Sequence, residues 1–216
     1  MAKDRSRTPP LIFVHGWGFN NLVWRGVADL LPDFEAHHIE LGFLRGAPQG
    51  DSSMPDGAIC IGHSFGLMWL LKHAPRPIRG LVPVAGFDCF HAHVEKARIE
   101  AMKRGLERDP VAQMERFWEA CGTASFTERE NYDISALKGG LTWLATWDER
   151  PARRALACPV MALAAEDDRI VEPAMTRAIC GDADLRLRAD GGHALPLTRP
   201  QWCAEEIDGF ARRIAA

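Results

Sequence analysis

The sequence predicts an α/β fold: a mostly parallel, twisted sheet flanked by helices, with a helical insertion after the fourth strand. Three observations lead there. Short apolar runs at residues 11–14, 59–62, 81–85 and 160–164 alternate with stretches of helical periodicity, the pattern of a parallel sheet covered by helices. One run ends in Gly62-His63-Ser64-Phe65-Gly66 and continues as an apolar stretch of helical length, so strand, sharp turn and helix follow without a break. From about Phe87 to Arg150 the alternation stops and only helical patterns remain.

The chain has 216 residues, 47% hydrophobic and 25% charged, the make-up of an ordinary globular domain with one sizeable core. A single-domain monomer is expected. A net charge of -3 without a long basic run argues against a nucleic-acid surface. No run approaches the ~20 apolar residues that cross a membrane, and Met1 to Pro10 is polar and basic rather than a signal peptide. The six cysteines form no C-x-x-C pair and have no histidines at ligand spacing, so neither a metal site nor a disulfide framework is expected, and the cytoplasm is the default compartment.

In order, Leu11-Ile12-Phe13-Val14 has the continuous apolar character of a strand buried on both faces. It runs into the glycine-rich loop His15-Gly16-Trp17-Gly18. A helix follows with Asn21 as cap and Val23, Val27, Leu30 and Leu31 on one face. Residues 37–41 form the second strand. The connection from Gly42 to Gly57 is rich in glycine and proline and leaves little room for a covering helix. Residues 59–62 are the third strand, Phe65 to His73 its helix, and residues 81–85 the fourth strand despite Pro83. In the helical stretch Ile99, Met102 and Leu106 share a face, and Asp109-Pro110 opens a helix carrying Val111, Met114, Phe117 and Trp118. Residues 160–164 and 185–188 are the last strands. Pro200 starts a final helix that buries Cys203, Ile207, Phe210 and Ile214. The domain plan is a core of residues 1–86 and 151–216 with a helical cap, 87–150, over the carboxyl ends of the strands, where such sheets bind ligands.

Gly62-His63-Ser64-Phe65-Gly66 fits G-x-S-x-G, the nucleophile elbow of α/β-hydrolases, in its required strand–turn–helix setting. A serine hydroxyl needs an adjacent base, itself oriented by an acid. In chain order after Ser64 come Glu166-Asp167-Asp168 and then His193 in a Gly-Gly loop before the last helix. His193 is the candidate base and Asp168 the candidate acid, with Asp167 one register away and Asp88, after the fourth strand, as competitors. The amides of Phe65 and Trp17 are the candidate oxyanion donors. The Trp17 indole would also wall the pocket, and His15 would brace its loop.

His15-Gly16-Trp17-Gly18 with Asn20 and Val23-Trp24, the elbow, Cys89-Phe90, Gly139-Gly140-Leu141 before Trp147-Asp148-Glu149-Arg150, and the late Asp and His together resemble the biotin-pathway pimeloyl-acyl-carrier-protein methyl ester carboxylesterases, from about Leu11 to Phe210. The resemblance implies an α/β-hydrolase fold, a Ser-His-Asp esterase without cofactor, and an acyl ester substrate carried on acyl carrier protein. It also implies Phe90 at the substrate and a cap that receives the carrier through basic residues. Here Arg98, Lys103, Arg104 and Arg108 are dense enough to make one face positive, although Asp and Glu outnumber Lys and Arg across residues 90–130. The rival functions are a thioesterase, an acyltransferase or a small-ester hydrolase with the same triad, and, in another class, a catalytically silent receptor or partner module.

Overall fold

The computed structural model describes residues 8–46, 53–74, 77–124, 126–127, 131–180 and 184–215. Among the described residues, six strands form one parallel sheet: β1 (Leu11–Val14), β2 (Ala36–Ile39), β3 (Ile59–His63), β4 (Gly80–Val84), β5 (Ala162–Ala165) and β6 (Leu185–Arg188), in the order β2-β1-β3-β4-β5-β6. Strands β1, β3 and β4 are buried at every position, which their unbroken apolar runs require. The chain leaves β1 toward β2 on one side and returns to β3 on the other. The loops after β1 and β3 therefore diverge at a switch point, where a crevice opens at the carboxyl ends of the strands.

Pro83 lies inside β4, paired with Gly62 of β3. Its missing N–H falls on the β5 side, between Leu81 N–H donating to Pro159 O (3.0 Å) and Ala85 N–H donating to Leu163 O (2.8 Å). That gap reduces the start of the expected strand at residues 160–164 to an isolated Leu81–Val160 bridge, and β5 begins only at Ala162.

The first helical segment differs from expectation. It is a 3-10 turn (Asn21–Trp24) running into the one-turn helix α1 (Arg25–Ala28), and its cap is Asn20, whose side chain accepts from Leu22 N–H. The change of pitch rotates Leu30 out of line: it is 47% exposed, whereas Val23, Val27 and Leu31 are buried. The middle of the connection from Gly42 to Gly57 lies outside the described residues. Helix α2 (Phe65–His73) packs behind β3.

Between β4 and β5 lie α3 (Lys96–Arg108), α4 (Pro110–Ala120), α5 (Ile134–Thr146) and the short α6 (Arg150–Arg154). Ile99 and Leu106 are buried on α3, with Met102 half-buried between them. Asp109 caps α4 by accepting from Ala112 N–H, and Met114, Phe117 and Trp118 form its buried face. The Trp118 indole donates to Gly18 O at 3.0 Å, which ties α4 to the loop after β1. Helix α3 packs on both α4 and α5. After β5 come α7 (Pro173–Cys180), α8 (Leu195–Thr198) and α9 (Pro200–Ala215). Helix α9 buries Cys203, Ile207 and Phe210, with Ile214 half-buried at its end. Each large side chain so buried contributes about 1.5–3 kcal/mol. Among the described residues, no helix is long and apolar enough to cross a membrane.

Candidate active site

Ser64 stands between β3 and α2 with φ 53°, a left-handed conformation rare for a residue with a side chain. The flanking glycines make the turn possible. A β-carbon on Gly66 would lie 2.4 Å from Val14 O, and one on Gly62 would lie 2.7 Å from the Leu67 backbone. Close approach of α2 to β1 is thus bought with two missing side chains, and it lifts Ser64 Oγ to the sheet edge. Gly16 fits as tightly: a β-carbon there would come within 2.9 Å of Ser64 Cβ. The loop carrying the Trp17 amide therefore lies against the elbow, and Phe65 occupies the first turn of α2, where amides have no intrahelical partner.

Ser64 Oγ and His193 Nε2 are 2.9 Å apart, and His193 Nδ1 is 2.9 Å from Asp168 Oδ2. The carboxylate can only accept, so Nδ1 carries the proton and Nε2 is free to accept from Ser64 Oγ–H. Asp168 Oδ1 accepts the amides of Ile170 (2.8 Å) and Val171 (2.9 Å), which fixes the carboxylate from its other side. Burial opposes its ionised form, but His193 and the Val171 and Ile170 amides outweigh that and hold it below the usual carboxylate range. All three side chains are buried.

The other two aspartates are elsewhere. Asp167 accepts from Gly192 N–H (2.8 Å) and Gly191 N–H (3.3 Å) and so clamps the backbone that carries His193. Asp88 pairs with Arg153 at 3.0 Å, away from the imidazole. His15 braces its loop through Nδ1, which donates to Gly16 O at 2.9 Å, and through Nε2, which accepts from Leu41 N–H at 2.9 Å; Glu40 Oε1 lies 2.9 Å from the same nitrogen. Glu40 had no signal in the sequence. Its carboxylate accepts from Asn21 N–H and Gly42 N–H, joining the loops after β1 and β2.

Above Ser64 is a cavity of about 50 Å³, walled by Trp17, Phe87, Phe90, Ile99 and Phe117, with Arg98 its one charged lining residue among the described residues. The Trp17 indole donates to Leu137 O of α5 at 2.8 Å and meets the Phe117 ring edge-on, 4.7 Å between centroids. The basic candidates divide. Arg98, Arg104 and Arg108 line a groove of about 720 Å³ between α3 and α4, joined there by Arg116. Lys103 instead pairs with Glu100 at 2.9 Å. Arg98 lines both the groove and the Ser64 cavity.

Residues 11–206 match the family model described as the alpha/beta hydrolase family. The chain is 29% identical to the pimeloyl-[acyl-carrier protein] methyl ester esterase of Yersinia pseudotuberculosis serotype O:1b (strain IP 31758), over 74% of this chain and 76% of the relative. It is 26% identical to that of Pectobacterium carotovorum subsp. carotovorum (strain PC1), over 94% of each. Among solved structures, an esterase from Exiguobacterium antarcticum superposes with a TM-score of 0.75 at 13% identity, covering 94% of this chain and 92% of that one. A bromoperoxidase from Bacillus anthracis superposes with 0.77 at 14% identity, covering 95% and 92%. At such identities the structural likeness speaks for the fold alone.

Proposed function

The chain belongs to the alpha/beta hydrolase family, and we propose that within it the protein is a cytoplasmic serine carboxylesterase acting through Ser64, His193 and Asp168. The observation that supports this most is the continuous hydrogen-bond chain from Ser64 Oγ through His193 to Asp168. In this mechanism Ser64 Oγ attacks the ester carbonyl while His193 Nε2 takes its proton. The amides of Phe65 and Trp17 hold the oxyanion. The tetrahedral intermediate collapses, His193 returns the proton to the leaving alkoxide, and the alcohol departs. Water, deprotonated by the same imidazole, then releases the acid and restores Ser64.

For the substrate we propose the methyl ester of an acyl chain on acyl carrier protein, the substrate named for the relatives above. Two features support it. The cavity at Ser64 is walled by aromatic and aliphatic side chains suited to an acyl chain. The four arginines of the α3–α4 groove suit an acidic partner. Residues 87–150 would then act as a cap. A second function, hydrolysis of small unrelated esters, is favoured by the cavity itself, whose 50 Å³ holds only a few water molecules. Steady-state kinetics on a carrier-linked methyl ester, a carrier-linked thioester and p-nitrophenyl butyrate decide between them. The highest kcat/KM is expected on the carrier-linked methyl ester; preference for the thioester or for the small free ester would reject the proposed substrate.

A further inference from the structure

His63, the variable residue of the elbow, has no part in the mechanism above, yet it is fully buried against both partners of the reaction. Its ring Nε2 lies 2.9 Å from the backbone oxygen of His193. A carbonyl oxygen only accepts, so Nε2 carries the proton and donates. The ring is wedged edge-on between Phe19 (5.4 Å) and Trp24 (6.3 Å), and its Nδ1 would lie 3.0 Å from a β-carbon on Gly16. Burial first, then repulsion from His193, pushes its pKa down to about 3, so the ring stays neutral and adds no charge beside the imidazolium that His193 becomes.

The segment it holds needs holding. Gly191 and Gly192 have φ of 131° and 63°, conformations open to glycine with little resistance. Asp167 anchors this segment ahead of His193, and Cys121 O accepts from Ala194 N–H (3.0 Å) behind it. Only His63 bonds the backbone of His193 itself among the hydrogen bonds of the described residues, and it does so from the residue next to the nucleophile. We infer that His63 is a positioning residue: its Nε2–H to His193 O bond sets the distance between the base and Ser64 Oγ.

This inference rests on Ser64 and His193 being nucleophile and base. The test compares His63→Gln, whose amide nitrogen reaches the place of Nε2, with His63→Asn, whose amide ends near Nδ1 and falls short. Both are polar and of similar size. With p-nitrophenyl butyrate, His63→Gln is expected within about threefold of wild-type kcat. His63→Asn is expected to lose about 10²-fold in kcat at unchanged KM, the scale of a catalytic group misplaced by about 1 Å. In a His193→Ala background the two should be equal, because His63 acts only through His193. Equal kcat for Gln and Asn in the otherwise wild-type protein, or a Gln–Asn difference that persists without His193, would overturn the inference. Ser64→Ala run alongside separates the premise: if it keeps its activity, the nucleophile assignment fails and not merely the role of His63.

Discussion

At the carboxyl ends of the strands the polar side chains around Ser64 are fixed from two sides, whereas along α3 and α4 the arginines of the groove are exposed. Asp168 is bound by two amides and an imidazole, and the nearby Glu40 accepts from two amides beside the His15 ring. The four arginines of the α3–α4 groove, by contrast, are exposed. Preorganised polar groups in a buried site stabilise a transition state without reorganising, while exposed charges act mainly on encounter and are screened by salt. The two regions should therefore fail in different ways when altered.

The largest effects belong to the buried edge. Ser64→Ala or His193→Ala should each remove about 10⁶ of kcat, because nucleophile and base act as a unit. Retention of a hundredth of wild-type turnover by a folded variant would break the distinction at its strong end. Next, Asp168→Asn should cost about 10⁴ in kcat, the scale on which loss of the orienting carboxylate acts. Asp88→Asn should leave kcat nearly intact, since its carboxylate serves Arg153. The reverse order would move the acid to the loop after β4.

The groove should show smaller and salt-dependent effects. Changing Arg104, Arg108 and Arg116 together to Ala, with Arg98 kept because it also lines the Ser64 cavity, should lower kcat/KM for a carrier-linked methyl ester about tenfold at low salt, through the on-rate. The loss should shrink as salt rises, and p-nitrophenyl butyrate should be turned over almost as before. Equal losses on both substrates would show that α3 and α4 had lost their packing. No loss on either would leave the groove a solvated helix face.

How much of this was legible in the chain follows the same division. The elbow announces itself because Gly62, Ser64 and Gly66 are local, and their need arises where β1, β3 and α2 come together. The late aspartate and histidine were legible from their order and their places after strand ends. Glu40 was not: a carboxylate at a strand end reads as solvated, and its neighbour His15 is 25 positions away. Nor is the separate role of Asp167, although Asp168 reads as the acid. Adjacent residues in a turn point apart, and only the three-dimensional turn gives one the ring and the other the Gly191–Gly192 amides. Leu30 departs from the face its spacing predicts because a 3-10 turn shifts the phase of its helix. Density along the sequence groups Lys103 with the arginines, whereas the groove draws on a second helix through Arg116.

The smallest effect concerns stability rather than rate. The pKa of His63 is about 3 in the fold against an ordinary 6.5, so between those values the unfolded chain binds more protons and stability falls on acidification. From pH 7 to pH 5 wild type should lose about 2 kcal/mol more than His63→Gln in urea unfolding. Equal losses would mean that His63 is not held neutral in the folded protein.

The central claim is that Ser64, activated by His193, is the nucleophile. Intact-mass spectrometry after treatment with a fluorophosphonate tests it most directly. Wild type should carry one adduct, mapped to Ser64, Ser64→Ala none, and His193→Ala should label slower by orders of magnitude. An unlabelled wild-type protein, or an adduct that survives Ser64→Ala, would contradict it.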